Sequence, residues 1–333
     1  MIGLGAFKSV RLVGSALPAE AVTRSADGGM PGQRPVDYLL PPGLTVSAAA
    51  ARAWEVLLPA HQAWKTALAN QTVGDADTKF TRDRWLLPLL YELGYGRPTP
   101  LASGVDLPPG LGETKPAHFT LSHQLAWPAG VAEPTAALAV HLLGPSVDLE
   151  HKTAGVTARA PHAMIQELLN RSPQHQWAIL SNGSTFRVLR DASSLARQSY
   201  LEFDLDLIFE NQPYADFRLM FTVLHATRLA PRTAEQTEAT SPRPEDCWLE
   251  EWRTTAISDG ARALDALREG VATAITALGT GFLVHPRNRT LVDTLSTSAG
   301  GYGRPTPMAA SHRLPTHRAF RGRGPGPAPP GDE

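Results

Sequence analysis

The chain has 333 residues, 42% of them hydrophobic, and its 31 basic and 32 acidic residues give a net charge of −1. This composition excludes a disordered polymer and a simple polycation, and the length allows one large domain or two ordinary ones. A single cysteine, Cys247, excludes a disulfide framework and a multi-cysteine zinc site. Neither a membrane-spanning apolar run nor a secretory signal is evident, so the sequence predicts a cytoplasmic protein.

The N-terminal part is expected to be irregular at first and helical afterwards. Residues 1–45 contain five prolines and are interpreted as an irregular arm. Apolar residues at helical spacing predict a helix over 46–70 and a second helix that opens at Thr81 and ends at Gly94. Pro88 is expected to kink the second helix.

The middle of the chain alternates between strand-like and helix-like patterns. The Asn182-Gly183 pair lies between two short apolar runs, which is a strong signal for a β-hairpin because both residues tolerate a positive φ. The run 136–143 is almost wholly apolar and predicts a central strand. The sequence predicts strands over 118–123, 136–143, 177–180, 185–189 and 199–203, and helices over 161–170 and 214–228.

The C-terminal part is expected to begin with a long helix. Residues 247–278 carry an apolar stripe at helical spacing, whereas residues 296–333 are rich in Gly, Pro and Arg and are interpreted as a disordered tail. The predicted fold is α/β, with a mixed sheet, flanking helices and a long C-terminal helix. The expected segments are an arm and helix over 1–75, an α/β domain over 76–229, a linker over 230–245, a helical segment over 246–295 and a tail over 296–333.

A Glu-x-Lys triplet follows the predicted central strand and is the main catalytic candidate. Metal-dependent nucleases use such a pair, in which the carboxylate binds Mg²⁺ and the lysine orients the attacking water. Glu150 and Lys152 would take these roles, with Glu150 as the metal ligand and Asp148 and Gln166 as further candidates. The alternative is a solvated turn with ordinary surface charges, and this reading is preferred because no suitable acidic residue precedes the strand.

Basic residues near the predicted hairpin suggest contacts with DNA. They would neutralise phosphates if the helix over 161–170 packs against the sheet and brings them to one face. The alternative is a soluble surface of alternating charge, and both interpretations stay open. The candidates are Lys152, Arg159, Arg171, Arg187, Arg190 and Arg197.

Several strings of the sequence form an ordered series. They are TRDRWLLPLLYELGY over 81–95, PHAMIQELLNRS over 161–172, WAILSNG over 177–183, FRVLRD over 186–191, YLEFD over 200–204, YADF over 214–217, HATR over 225–228 and CWLEEW over 247–252. In this order and spacing they resemble the N-terminal region of bacterial adenine-specific, type IIG-like restriction–modification methylases, including those of the phage-defence systems DISARM and BREX. The resemblance covers roughly residues 5–295.

The resemblance implies a nuclease-like sheet, in which a helix bearing Gln166 follows the Glu-x-Lys strand, and double-stranded DNA as the partner. The full-length family continues into a methyltransferase domain with an S-adenosylmethionine loop and an Asn-Pro-Pro motif. This chain has no Asn-Pro-Pro, and Gly279–Phe282 follows a helix rather than a strand, so no cofactor is expected to bind it.

The expected function is therefore that of a non-catalytic, DNA-facing module. The chain would be a truncated product, or one half of a system whose separate methylase half or other defence subunits are its partners, with no membrane involved. The alternative is a Mg²⁺-dependent restriction-type endonuclease that uses Glu150 and Lys152.

Overall fold

An eight-stranded mixed sheet, in the order β1-β2-β10-β9-β8-β7-β6-β3, carries the fold, and β4 pairs with β5 in a separate two-stranded sheet. The structure is a computed structural model and describes residues 2–70, 76–110, 114–127, 134–191, 198–232 and 242–297. The strands are β1 (Ile2–Leu4), β2 (Phe7–Val13), β3 (Thr99–Pro100), β4 (Val105–Leu107), β5 (Ala117–Phe119), β6 (His123–Trp127), β7 (Ala136–Leu142), β8 (Trp177–Ser181), β9 (Thr185–Arg190) and β10 (Tyr200–Asp204).

Helices alternate with the strands along the chain and continue after the last strand. They are α1 (Ala19–Ala26), α2 (Val46–Ala69), α3 (Ala76–Thr81), α4 (Leu87–Leu90), α5 (Pro161–Arg171), α6 (Leu205–Asn211), α7 (Tyr214–Leu224), α8 (Ala226–Leu229), α9 (Trp248–Val284) and α10 (Arg289–Thr297). Two π-helical turns, Arg82–Leu86 and Tyr91–Tyr95, lie on either side of α4. Short 3-10 turns occur at Pro35–Tyr38 and Pro286–Asn288.

The prediction of an α/β fold with a mixed sheet is confirmed. Strands β7 and β8 are parallel because α5 connects them, and β8 and β9 form the predicted antiparallel hairpin. Every residue of β7 is buried, as its continuous apolar pattern indicates. The strand predicted over 118–123 is instead split: β5 joins the small sheet, and β6 begins at His123 in the main sheet.

The interpretation of residues 1–45 as an irregular arm is wrong. Strand β2 lies inside the main sheet, between β1 and β10, and its Val10 and Leu12 side chains are buried. The prolines all follow residue 17 and occupy turns and helix starts, so they do not oppose a strand before them. The expected boundary at residue 75 therefore does not divide the sheet, and Met1–Arg262 forms one compact unit.

A buried carboxylate attaches β2 to α7. The Asp216 carboxylate accepts hydrogen bonds from the Ser9 amide at 3.0 Å and the Ser9 hydroxyl at 2.6 Å. Because hydrogen bonds to a charged group contribute about 1.5–3 kcal/mol, we expect Ser9→Ala to lower the free energy of unfolding by about that amount. Urea denaturation measures this loss, and the exposed neighbour Lys8 provides the control Lys8→Ala. Equal stability of Ser9→Ala and the unmodified chain would contradict a structural role for β2.

The sheet has a core on each face. One face packs against α2, α6, α7 and the start of α9, where the Trp85 ring meets the Phe209 ring at 4.9 Å. The indole of Trp85 also donates a hydrogen bond to the Gly183 carbonyl at 2.9 Å, which ties the π-helical turn to the hairpin. Gly183 has a φ of +92°, and a Cβ there would lie 2.7 Å from the Thr81 methyl group. The other face packs against α5 and the small sheet.

The long C-terminal helix is confirmed but only its first turns contribute to the core. Leu249, Trp252 and Ala256 are buried on α9, whereas the large apolar residues from Leu264 onward are exposed. Residues 233–241 of the predicted linker and residues 298–333 of the predicted tail lie outside the described residues. Among the described helices, none is both long and apolar enough to cross a membrane.

Candidate functional site

The Glu-x-Lys triplet lies in the loop between β7 and α5 and not on a strand. The Asp148 carboxylate shapes this loop by accepting hydrogen bonds from the amides of Glu150 at 2.7 Å and His151 at 3.1 Å. Such a carboxylate-to-backbone turn is a common use of Asp in loops. These bonds lower the pKa of the Asp148 carboxyl, with the Glu150 amide contributing most. Asp148 thus organises the turn that presents Glu150.

Glu150 meets an arginine from the neighbouring hairpin. Its carboxylate accepts hydrogen bonds from Arg187 Nη1 at 2.5 Å and Gln198 Nε2 at 3.1 Å. The same guanidinium donates through Nε to Glu202 at 2.6 Å. Arg187 therefore lies between two carboxylates, and its side chain is only 10% exposed.

Strand register explains why Glu202 and Arg187 meet. Glu202 on β10 is opposite Arg187 on β9 and opposite Arg11 on β2, so the three charges form a row across adjacent strands. Arg11 donates to Glu202 at 3.0 Å from a side chain that is 51% exposed. Opposite charges on directly paired strand positions attract each other, and burial strengthens the inner pair.

Two rings complete the cluster, which we call the Arg187 cluster and define as Glu150, His162, Arg187, Tyr200 and Glu202. The guanidinium carbon of Arg187 lies 4.7 Å from the centre of the Tyr200 ring, within cation–π range. Nδ1 of His162, on α5, lies 3.1 Å from Arg187 Nη1 and accepts its hydrogen bond. The ring of His162 packs edge-on against Tyr200, with centres 4.9 Å apart.

The protonation states follow from this packing. Burial lowers the pKa of His162 to about 4, so the imidazole is neutral at pH 7 and can accept the bond from Arg187. Burial opposes ionisation of Glu150, but the charge and the hydrogen bond of Arg187 bring the pKa of this carboxyl below its ordinary value. Burial also opposes the charge on Arg187, yet Glu202 and Glu150 hold the pKa of the guanidinium above its ordinary value.

The Arg187 cluster does not fit a divalent cation. Oxygen atoms of Glu150 and Glu202 are already bonded to the guanidinium, which supplies the positive charge that Mg²⁺ would bring. No group of three His, Cys, Asp or Glu side chains within the described residues is placed to hold a metal ion. Lys152 is exposed, and it is not among the residues that bond to the cluster. The geometry therefore offers no metal-centred arrangement around Glu150.

Gln166 has a structural contact. It lies on α5, as the resemblance implies, and its amide donates to the Arg190 carbonyl at 3.1 Å. This bond joins the helix to the end of β9.

The Gly279–Phe282 segment lies inside α9, so it does not form a loop after a strand.

The structure does not bring the basic candidates to one open face. Arg159 and Arg171 both pair with Glu167, the second at 3.3 Å. Arg190 forms a two-pronged pair with Glu250 of α9 at 2.7 and 2.9 Å, on the opposite side of β9 from Arg187. These guanidinium groups are therefore engaged by carboxylates within the fold.

Of the remaining basic candidates, Lys152 is exposed in the loop that carries Glu150, whereas Arg197 lies outside the described residues. The sequence patterns did not single out Glu202 or His162. One sequence signal could have found Glu202. Glu202 is the charged residue inside the apolar run 200–203, and Arg187 is the charged residue inside the apolar run 186–189. Charged residues in two buried strands indicate a cross-strand pair.

A separate groove of about 620 Å³ runs beside the π-helical turns. Its His123 side chain is 3% exposed, and Nδ1 contacts the Ser122 hydroxyl at 2.9 Å. Burial lowers the pKa of His123 below its ordinary value. The groove is lined by Asp83, Leu87, Pro88, Tyr91, Glu92, Gly96, Arg97, Pro98, Pro100 and His123. It contains none of the residues that the sequence singled out for catalysis or DNA contact.

Comparison of this chain with protein-family models, curated proteins and solved structures finds no match.

Proposed function

We propose that this chain is a non-catalytic, DNA-facing module of a restriction–modification or phage-defence DNA methylase. Double-stranded DNA is its partner, and the residues of this sequence do not themselves carry out methyl transfer from S-adenosylmethionine. The ordered series of strings that resembles such methylases supports this proposal, together with the confirmed α/β class and the β8–β9 hairpin.

The observation that carries the non-catalytic part is the position of Arg187. A Mg²⁺-dependent nuclease needs carboxylates that are free to bind the metal. Here the Arg187 guanidinium bonds to Glu150 at 2.5 Å and to Glu202 at 2.6 Å. An arginine stays charged at any ordinary pH, so the carboxylates remain neutralised. The arrangement maintains the architecture of the loop and hairpin rather than a reaction.

The DNA-facing part is assigned to the loop that the Arg187 cluster holds in place. Glu150 is anchored to the sheet, and Lys152 is exposed two residues further along the same loop. An exposed lysine beside an anchored residue is positioned to contact a phosphate without sequence preference. Such a contact contributes to affinity through the release of counterions from DNA.

We expect Lys152→Ala to weaken binding to duplex DNA uniformly across sequences and to reduce the salt slope by about 1, which is the loss of one phosphate contact. Fluorescence anisotropy with a labelled duplex, measured at several salt concentrations, gives both quantities. The matched control is Lys115→Ala, because Lys115 is an exposed lysine in a different loop. Its salt slope should equal that of the unmodified chain.

Three results would overturn the proposal. Absence of DNA binding even at low salt would remove the DNA-facing role. Cleavage of plasmid DNA with Mg²⁺ that is lost in both Glu150→Ala and Lys152→Ala would replace the proposal by the endonuclease function. Methyl transfer from S-adenosylmethionine by the purified chain would contradict the non-catalytic role.

A further inference from the structure

The second half of α9 presents a large apolar stripe to solvent. Five large apolar residues between positions 264 and 278 are exposed. Residues 270–284 contain no charged side chain. The exposed fractions are Leu264 50%, Leu267 63%, Val271 49%, Ile275 65% and Leu278 75%. A contiguous apolar surface of this kind on a long helix marks an interaction site.

These five residues lie on one side of the helix. At 100° per residue they fall within about 40° of the direction of Val271, which is the width of a helix–helix seam. The stripe lies wholly within the unit Ala263–Glu333, so it is a property of this helical segment by itself.

The spacing of the apolar residues in the stripe is symmetric about Val271. From Leu264 to Leu278 the successive spacings are three, four, four and three residues, and Val271 is the centre. Leu264 and Leu278 are equally distant from the centre, and so are Leu267 and Ile275. A partner that is itself a copy of this helix, running in the opposite direction, would match this pattern residue for residue.

Such a match is what a two-fold symmetric interface requires, because residue i of one copy meets residue j of the other and the reverse. In an antiparallel pair the two Val271 side chains meet on the symmetry axis. Leu264 meets the second copy's Leu278, and Leu267 meets its Ile275. Glu269 lies on the side of α9 that faces away from the seam, and Arg268 flanks the seam at the level of the uncharged Ala274 of the other copy.

The C-terminal segment of this chain is poorly suited to cover the stripe. Residues 298–333 contain no Ile, Val or Trp and are rich in Gly and Pro. Their sequence therefore offers the stripe few large apolar side chains to pack against. The symmetric spacing therefore selects a second copy as the occupant.

We infer that the chain forms a homodimer through antiparallel pairing of α9 over residues 264–278, with Val271 at the two-fold axis. The inference does not depend on the proposed DNA function.

Multi-angle light scattering of the full chain tests the dimer directly. The expected mass is twice the 35.8 kDa of one chain. Val271→Glu places two carboxylates against each other on the axis and is expected to return the mass to that of a monomer. The control Thr273→Glu adds the same charge on the opposite side of α9 and should leave the dimer intact. Both substitutions are at exposed positions, so neither disturbs a folded core.

Cysteine cross-linking tests the direction of the pair. Val271→Cys should form a disulfide between copies on mild oxidation, because the two residues meet on the axis. Leu264→Cys should not, since antiparallel copies separate the two positions by roughly 20 Å, at 1.5 Å per residue. Cys247 is buried and its thiol, whose pKa burial raises to about 12, does not compete.

Several outcomes would overturn the inference. A monomer at every concentration from micromolar to hundreds of micromolar would do so, and so would binding of the monomer to lipid vesicles through this stripe. A dimer that survives Val271→Glu would place the interface elsewhere. Efficient cross-linking of Leu264→Cys would show a parallel pair.

Discussion

Replacing Arg187 with alanine is expected to lower the free energy of unfolding by about 3–5 kcal/mol, the cost of removing one partner from a buried ion pair. Glu202 would lose the 2.6 Å bond and Glu150 the 2.5 Å bond from the guanidinium. The Glu202 side chain is only 8% exposed, so water replaces little of the lost bonding. Tyr200 would also lose its cation–π partner. Urea denaturation at pH 7 measures the change.

Arg11→Ala is the matched control, because Arg11 bonds to the same Glu202 from a side chain that is 51% exposed. Solvent screens an exposed pair, so this variant should lose less than about 1 kcal/mol. Adding Glu202→Gln to Arg187→Ala removes the more deeply buried carboxylate, which is left with only the half-exposed Arg11 as its partner, and should restore part of the stability. Equal losses for Arg187→Ala and Arg11→Ala would contradict the view that burial of the Arg187 cluster decides its energetic role.

Mild acid is expected to destabilise the chain steeply through its buried histidines. Burial lowers the pKa values of His141, His162, His175 and His225 to about 4, against an ordinary value of 6.5. Below about pH 6.5 the unfolded chain binds a proton at each of these sites, whereas the folded chain does not until about pH 4. Stability is therefore present above pH 6.5 and falls as the pH drops between these two values.

The size of this effect follows from linkage. Each such histidine contributes a slope of about 1.4 kcal/mol per pH unit once the unfolded form is protonated. By roughly pH 5 the combined loss from the four histidines becomes comparable to the total stability of an ordinary protein, which is about 5–15 kcal/mol. Urea denaturation at pH 7, 6 and 5 measures the slope of the unfolding free energy.

Variants assign this slope to the histidines. Nδ1 of His141 is buried without a hydrogen-bond partner among the described residues, so His141→Leu removes one titrating group and is expected to reduce the slope by about one proton. Ile179→Val is the control, since it lowers stability by about 1 kcal/mol through lost packing and leaves the slope unchanged. Stability that is independent of pH between 7 and 5 would contradict neutral, buried histidines.

The Arg187 cluster and the α9 stripe play different parts in the molecule. The cluster uses charge inside the fold, where each carboxylate has a partner and the loop with Lys152 is held against the hairpin. The stripe leaves apolar surface exposed on α9. Loss of DNA binding and loss of the dimer can therefore be measured independently, with Lys152→Ala affecting the first and Val271→Glu the second.

The sequence by itself determined the elements whose signals are local. Apolar spacing predicted α2 and α9, Pro161 marked the start of α5, and the Asn182-Gly183 pair predicted the hairpin, because these signals act over a few residues. The α/β class followed from the alternation of such elements.

Only the tertiary structure decided how distant residues pair. Strand β2 pairs with β10, and in this register Leu12 lies opposite Leu201, almost 190 positions later in the chain. No local sequence pattern indicates such a distant pairing. Pairing of β10 with β2 and with β9 brings Glu202 between Arg11 and Arg187, and the loop before α5 adds Glu150 to the same charge cluster. Side-chain type sets what a residue can do, but its partners depend on strand order and register, which are set by burial over the whole sheet.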